Sequence, residues 1–320
     1  MMIIEYSKFN FIIEALDALT LPYYKGSTFR GAFGYAFRRV VCALKRNDCT
    51  DCFFKSKCIY AYVFETSPSA DASMMHMNKY LKIPHPFIIE PPEAAKNIFN
   101  PGEQLSFNLI LIGRALDYLP YFIYTFDELG KSGIGKRKGR YRLLRVDNDS
   151  GKVYSAQDKV IRDTAVKKLE IPEDIDFNSD INHNDTEKSN SVTLRFITPV
   201  RISYGRDLAV KLEFHILIRA LLRRLCLLQY FHSTMREPAW DHKKIILEAE
   251  NVVIESDNLR WYDWERYSTR QAVRMKMGGL IGDIKYKGNI EPFMPILKAG
   301  EILHVGKGTS FGLGKYVISF

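Results

Sequence analysis

The sequence predicts an α+β protein made of two divergent copies of one βαββαβ unit. Strand and helix signals in the first 150 residues run strand, helix, strand, strand, helix, strand, and the same order restarts after residue 190. Each series ends in a glycine-rich basic loop leading into a strand, GKSGIGKRKGRYRL (130–143) and GKGTSFGLGKYVI (306–318). The strict strand–helix alternation of a doubly wound sheet is absent, so α+β is the class. A length of 320 residues also favours two domains.

The elements follow in order. Residues 2–13 (MIIEYSKFNFII) are β-prone. Phe29, Ala32, Phe33, Ala36, Phe37, Val40, Val41 and Leu44 then recur at helical spacing. Gly31 and Gly34 lie inside that helix, where a glycine suggests close approach of another backbone or a ligand. PFIIEP (86–91) and QLSFNLILIG (104–113) read as strands, residues 115–130 as a helix despite Pro120, and GRYRLLRV as the closing strand. Residues 157–190 read as an acidic linker. In the second copy, 191–202 is a strand and 208–232 a long helix. Strands near 251–256 and 259–267 flank a turn at Asp257-Asn258, EPFMPILKAG is a short helix, and GLGKYVISF is the last strand. The expected domains are therefore 1–156, with a four-cysteine insertion at 42–58, and 191–320.

Charge narrows the function. Lys+Arg 46 against Asp+Glu 37 gives a net +9, which favours a polyanionic partner. Residues 131–145 hold seven cations and no acid, whereas 173–187 hold six acids and no Lys or Arg. No run reaches the ~18 apolar residues of a membrane span, and the N-terminus lacks a secretory pattern, so a cytoplasmic protein is expected.

Cysteines Cys42, Cys49, Cys52 and Cys58 form a C-x6-C-x2-C-x5-C set, and Cys226 stands apart among leucines. An odd total argues against a secreted disulfide framework. Four thiolates suit a small structural zinc knuckle, although the outer spacings match no standard finger. An iron–sulfur cluster or plain reduced thiols are the other readings.

Gly306, Gly308, Gly312 and Gly314, with Lys307 and Lys315, offer backbone amides and cations within ten residues. Adjacent amides can form an anion nest. The spacing is neither that of a P-loop nor that of a dinucleotide fingerprint. A plain structural turn is the competing reading, and the similar loop in the first copy, with Lys131, Lys136, Arg137, Lys138 and Arg140, favours RNA.

The segments LPYYKGSTFRGAFGYAFRRVVC (21–42), HPFIIEPP (85–92), LGKSGIGKRKGRYRL (129–143), TPVRISYGRDL (198–208) and GKGTSFGLGKY (306–316) resemble the CRISPR repeat-processing endoribonucleases of the RAMP superfamily. The terminal glycine loop marks that superfamily broadly, and GSTFRGAFG with HPFIIEPP points to its nuclease branch. The resemblance implies two tandem ferredoxin-like (RRM-like) domains. It also implies a CRISPR precursor RNA as substrate, other CRISPR-associated proteins as possible partners, and cleavage without a metal cofactor.

In that chemistry a 2′-hydroxyl attacks the adjacent phosphate, leaving a 2′,3′-cyclic phosphate and a 5′-hydroxyl. It requires a base, an acid and a cation, and histidine can serve as either of the first two near neutral pH. The resemblance implies a catalytic histidine between the first helix and the second strand, an interval that holds His76 and His85. Lys79, Lys82, Tyr80 and Tyr35 could supply charge or orientation, and Lys82 and Tyr35 join the candidate catalytic set. The plainer readings are that His85 packs at the start of its strand and that His76 is an idle loop residue.

His215, Arg219 and Arg223 align at i, i+4, i+8 as a basic stripe, which is either an RNA contact or a solvated helix face. His232-Ser233-Thr234 matches the H-x-T of two-histidine phosphoesterases, but no second copy exists, so that enzyme class fails. His304, two residues before the terminal loop, is a weaker phosphate candidate. Aromatics and cations interleave over 260–276, where Arg260, Tyr262 and Trp264 could share one strand face. The competing function is a non-catalytic RAMP subunit that holds guide RNA.

Overall fold

A computed structural model describes residues 1–45, 49, 51–65, 83–93, 95–177, 190–205, 207–234, 238–268 and 273–320. The chain divides into two compact units. The first comprises Ile4–Lys168 with Phe231–Ser233, and the second comprises Met1–Ile3, Leu169–Tyr230 and Thr234–Phe320. The stretch read as a linker thus spans the division at 168/169 and contains a strand, Lys167–Ile171.

The first unit holds β1 (Met2–Ala15), α1 (Gly26–Val41), α2 (Ile59–Phe64), β2 (Phe87–Glu90), β3 (Gln104–Ile112), α3 (Leu119–Ser132), β4 (Tyr141–Asn148) and β5 (Gly151–Ser155). The strands pair antiparallel in the order β2-β3-β1-β4-β5. Pro120 does not kink α3, because it occupies the first turn, where a missing N–H costs nothing.

Alternation along β1 sends Phe9, Phe11 and Ile13 under the helices. The core there is a phenylalanine cluster. Phe33 of α1 is its hub, with ring centroids 4.7 Å from Phe126, 5.1 Å from Phe122 and Phe37, 5.8 Å from Phe64 and 5.9 Å from Phe87. Such pairs add ~0.5–1.5 kcal/mol each beyond the area they bury. Gly34 matters to this packing, since a Cβ there would meet the Phe64 ring at 3.0 Å. Gly31 has nothing within 4 Å, so the close approach suspected for it comes from no part of the chain described.

The opposite face of the sheet sets a polar ladder beside the buried Ile88, Ile110 and Ile112. Lys8 pairs with Glu90 at 2.7 Å, Asn108 donates to Glu90 at 2.9 Å, and Asn10 donates to Asn108 at 2.9 Å.

The strand Lys167–Ile171, which straddles the division, is β6, and the second unit holds β7 (Ser191–Val200), α4 (Phe214–His232), α5 (His242–Glu250), β8 (Val253–Tyr262), β9 (Glu265–Ser268), β10 (Val273–Lys276), β11 (Gly279–Lys287), α6 (Met294–Leu303) and β12 (Tyr316–Ser319). Phe231–Ser233, at and just after the end of α4, group with the first unit. The main sheet runs β8-β11-β7-β12. In both units the fourth strand of the repeat lies beside the first, and the third lies between first and second. This is the ferredoxin-like order the sequence implied.

The expected turn at Asp257-Asn258 is not there. β8 passes straight through it, with a register shift between Ile254 and Ser256, and its partner is β11. Asp257 instead accepts a hydrogen bond from the Leu259 amide at 2.9 Å, and Gly282 lies opposite, where a Cβ would be 2.6 Å from the Asn258 carbonyl. The turn chemistry of an Asp-Asn pair was absorbed by a bulged edge strand. The strand β11 shows plain alternation, with Leu280, Ile284 and Tyr286 buried.

Both units carry the same clamp. Tyr141, at the start of β4, donates its hydroxyl to Phe126 O of α3 at 2.8 Å. Tyr316, at the start of β12, donates to Leu297 O of α6 at 2.6 Å. In each case a helix glycine makes room, Gly130 against Tyr141 and Gly300 against the Tyr316 hydroxyl. Tyr286 makes a related bond to Leu212 O at 2.7 Å.

Burial pushes the hydroxyls of Tyr141, Tyr286 and Tyr316 well above the ordinary tyrosine range. Each is therefore held protonated when folded and ionises near pH ~10 when unfolded. The stability they contribute is present below that pH and is lost as pH rises above it, by up to ~1.4 kcal/mol per pH unit for each group. Absorbance at 295 nm at pH 11 should show these rings ionising only together with unfolding; a single step for all 18 tyrosines in a folded chain would contradict this.

Two glycines should respond with opposite sign. Gly314 has φ +72°, and a Cβ would stand 1.8 Å from Val305 O, so Gly314→Ala should lower the thermal midpoint. The left-handed backbone alone costs ~1–2 kcal/mol. Gly31→Ala, in an open helical position, should gain ~0.5–1 kcal/mol.

Candidate functional site

His85 sits between Pro84 and Pro86 just before β2, at the rim of the phenylalanine core. Its ring stacks on Phe87 at 5.7 Å and lies 5.9 Å from the Phe64 ring. Arg30 of α1 reaches it, with Nη2 3.0 Å from His85 Nε2, while the guanidinium lies over Phe64 at 4.9 Å. A guanidinium can only donate, so Nε2 accepts and the His85 ring is neutral with its proton on Nδ1. A base and a cation are thus in direct contact, both half-buried.

A second histidine belongs to the same compact unit. His232 is 1% exposed, with Nε2 2.8 Å from Pro84 O and Nδ1 3.1 Å from the Tyr62 hydroxyl. Burial raises Tyr62 above the ordinary tyrosine range, against the opposing pull of Arg114. Arg114 lies over the Tyr62 ring at 5.0 Å and donates to Phe231 O at 3.2 Å. Gly113 has φ +54°, and a Cβ there would come within 1.7 Å of the His232 carbonyl.

The first glycine loop presents cations. Lys136, Arg137 and Lys138 are exposed at its tip, and among the described residues none of them has an acidic partner. Lys131 is paired with Glu128 and Asp127, and Arg140 forms a two-pronged contact with Asp17. That contact holds the exposed Asp17 carboxyl below the usual carboxylate range.

The terminal loop is knit into the protein instead. Lys307 N donates to Arg201 O at 2.7 Å, Gly314 N to Pro199 O at 3.0 Å, Lys315 N to Thr198 Oγ1 at 2.9 Å and Gly312 N to Thr309 O at 2.8 Å. Those amides are spent internally and cannot also form the expected nest. The positive φ values at Gly306, Gly308, Gly312 and Gly314 build the turn, and the Lys307 side chain is exposed. His304 is fully buried, with Nδ1 3.2 Å from Leu313 O, a position inside the fold rather than at a phosphate.

Residues 4–166, just over half of the chain, match the N-terminal domain family AF_1859_N, and residues 194–316 match the CRISPR-associated endoribonuclease Cas6. The chain belongs to the family of that N-terminal domain, and its second part carries the Cas6 match. An uncharacterised protein of Archaeoglobus fulgidus is 24% identical over 307 residues, covering 93% of this chain and 92% of its own. Thermus thermophilus Cas6 in a product complex matches with a TM-score of 0.58 at 15% identity, over 98% of this chain and 100% of that one. A partial Cas6-RT-Cas1–Cas2 complex matches with a TM-score of 0.58 at 16% identity, over 99% of this chain and 46% of the other. At these identities the solved structures establish the fold.

Other residues singled out in the sequence are placed unevenly. His76 and Lys82, like Lys79 and Tyr80, lie outside the described residues. Tyr35 is 72% exposed, beside the Arg39 guanidinium at 6.0 Å. It stands about 140° around α1 from Arg30, so the helix does not bring the two to one side. On α4, Arg219 is exposed and Arg223 half-buried, while His215 packs against the Tyr204 ring at 5.8 Å. Trp261 donates to Asp263 at 2.8 Å, at the end of β8.

The zinc knuckle finds no support. Cys42, Cys49, Cys52 and Cys58 are free thiols, and among the described residues no group of three or more His, Cys, Asp or Glu side chains could hold a metal ion. Cys42 closes α1, Cys58 opens α2, and Cys49 and Cys58 pack against the apolar core. Burial pushes the Cys49 thiol up, and the neighbouring Cys42 and Cys58 add to the shift. Cys226 is buried as expected, 3.9 Å from His242 Nε2.

Arg30 and His232 are the residues that sequence reasoning passed over. Arg30 interrupts an apolar helix face beside Phe29 and Phe33, a signal that was available. His232 carried none, since its partners lie 148 and 170 residues away. The tautomer can be tested by long-range ¹H–¹⁵N correlation on the His85 ring. It should show Nδ1–H in the native chain, and Arg30→Met should weaken that preference; an Nε2–H ring in the native chain would contradict it.

Proposed function

We propose that the chain cleaves CRISPR precursor RNA within its repeats, without a metal, to generate guide RNAs. The observation that supports this most is the Arg30–His85 pair in a chain whose residues 194–316 match Cas6. When RNA arrives, Arg30 exchanges His85 Nε2 for a non-bridging phosphate oxygen. Nε2 then takes the proton of the 2′-hydroxyl as the 2′-oxygen–phosphorus bond forms. The bond to the 5′-oxygen breaks, giving a 2′,3′-cyclic phosphate, and the leaving oxygen takes a proton from a second group. His76 and Lys82 are the proposed candidates for that acid. The nucleophile belongs to the substrate, so the chemistry has no need of a metal to generate one.

Lys136, Arg137, Lys138, Lys307 and Arg219 would meet the RNA backbone through charge, and Tyr35 would offer an exposed ring for a base. The glycine loops would hold these cations in place. Other CRISPR proteins are proposed as partners on the strength of the fold shared with the Cas6-RT-Cas1–Cas2 complex.

A second reading is a guide-holding subunit that does not cut. The occupied His85 Nε2 favours it, because the resting base is not available to a hydroxyl.

An end-labelled repeat RNA separates the two readings. Cleavage should persist in EDTA and stop with a 2′-deoxy substitution at the cut site. His85→Ala should slow it ~10²–10⁴-fold while leaving RNA affinity unchanged. Tight binding by the native chain with no cut would replace the first reading by the second.

A further inference from the structure

We infer that His232 is a positioning residue for His85, acting through the carbonyl of Pro84; the inference rests on the cleavage reading above. Pro84 has no N–H, so its only backbone hydrogen-bonding atom is its carbonyl oxygen. His232 Nε2 lies 2.8 Å from that oxygen. A carbonyl can only accept, so Nε2 carries the proton, and in the neutral ring Nδ1 accepts from the Tyr62 hydroxyl at 3.1 Å.

The Pro84 carbonyl lies in the same rigid peptide plane as the His85 nitrogen. Fixing that oxygen fixes the plane from which His85 projects. Pro86 restricts His85 from the other side, because a residue before proline is held to extended backbone. His85 is thus set by a proline after it and by a buried imidazole bonded to the proline before it.

The donor is itself well held. Arg114 bonds Phe231 O, Gly113 admits the His232 carbonyl at a distance no side chain would allow, and the Tyr62 ring meets the imidazole edge-on at 5.5 Å. This much fixed polar structure, around a ring 1% exposed, exceeds what packing requires of a helix end. A misplacement of ~1 Å at a reacting group can cost ~10²-fold in rate.

Two substitutions separate positioning from packing. Glutamine places its amide nitrogen where Nε2 stands and can keep the bond to Pro84 O, whereas asparagine reaches only the Nδ1 position. The first readout is single-turnover cleavage of a repeat RNA beside RNA affinity. His232→Asn should lower the rate ~10-fold or more with affinity retained, and His232→Gln should stay within ~3-fold of the native chain. The second readout is the ¹H–¹³C resonances of the His85 ring without RNA, which should move in His232→Asn and stay in place in His232→Gln. Equal losses in both variants with His85 resonances unmoved, or native behaviour in both, would overturn the inference.

If the native chain cuts no RNA, the cleavage reading fails on its own account. The His85 resonances then still decide whether His232 positions that ring. Should neither variant fold, Tyr62→Phe releases only the second nitrogen of His232: a moved His85 resonance supports the inference and an unmoved one overturns it.

Discussion

The two units depend on one contact, a tyrosine hydroxyl given to a carbonyl of the preceding helix. It ties the start of the last strand of each repeat to the helix just before it, and a glycine one turn along lets the ring lie flush. The glycine-rich loop between helix and strand is thereby closed at its base. It spans 133–140 in the first unit and 304–315 in the second, yet the flanking geometry is the same. Closing the longer loop costs only about 0.4 kcal/mol more by chain entropy. Loop content can therefore vary while the sheet stays fixed. The first loop uses this freedom to expose three cations, and the second folds its amides inward.

The face of the first sheet turned away from the helices carries a self-satisfied ladder from Lys8 through Glu90 and Asn108 to Asn10. In the second sheet Arg195 faces Asp283, and Lys285 faces Glu255. Charges already paired in this way give little to a polyanion. Uncompensated positive charge sits at the loop tip instead, where Lys136, Arg137 and Lys138 have no such partners among the described residues. The Arg30–His85 pair differs from both. It lies at the rim of an apolar cluster, where hydrogen bonds are stronger than in water and an exchange of partners is correspondingly consequential.

Much of the fold was legible because period-2 and period-3.6 patterns report burial directly. Phe9, Phe11 and Ile13 alternate, Phe29, Phe33 and Phe37 step by four, and the repeated loops announced the duplication. What was misread at Asp257-Asn258 has a physical cause, since the turn preference of two polar residues yields when they occupy an exposed edge strand. β11 was overlooked although its alternation was visible. The site was less legible than the fold. His85 could be named because the resemblance implied a histidine between the first helix and the second strand, but the identity of its partner needed the folded unit. His232 was set aside on a motif argument, because hydrogen bonds spanning 148 and 170 residues leave no trace in local sequence.

The phenylalanine core of the first unit has an optical consequence. All three tryptophans, Trp240, Trp261 and Trp264, belong to the second unit, and Ile4–Lys168 contains none. Emission excited at 295 nm therefore watches the second unit melt while the unit that carries His85 stays dark. A single smooth fluorescence transition would say nothing about the integrity of the aromatic hub around Phe33. That hub has to be followed by near-ultraviolet dichroism, or by a tryptophan introduced for the purpose.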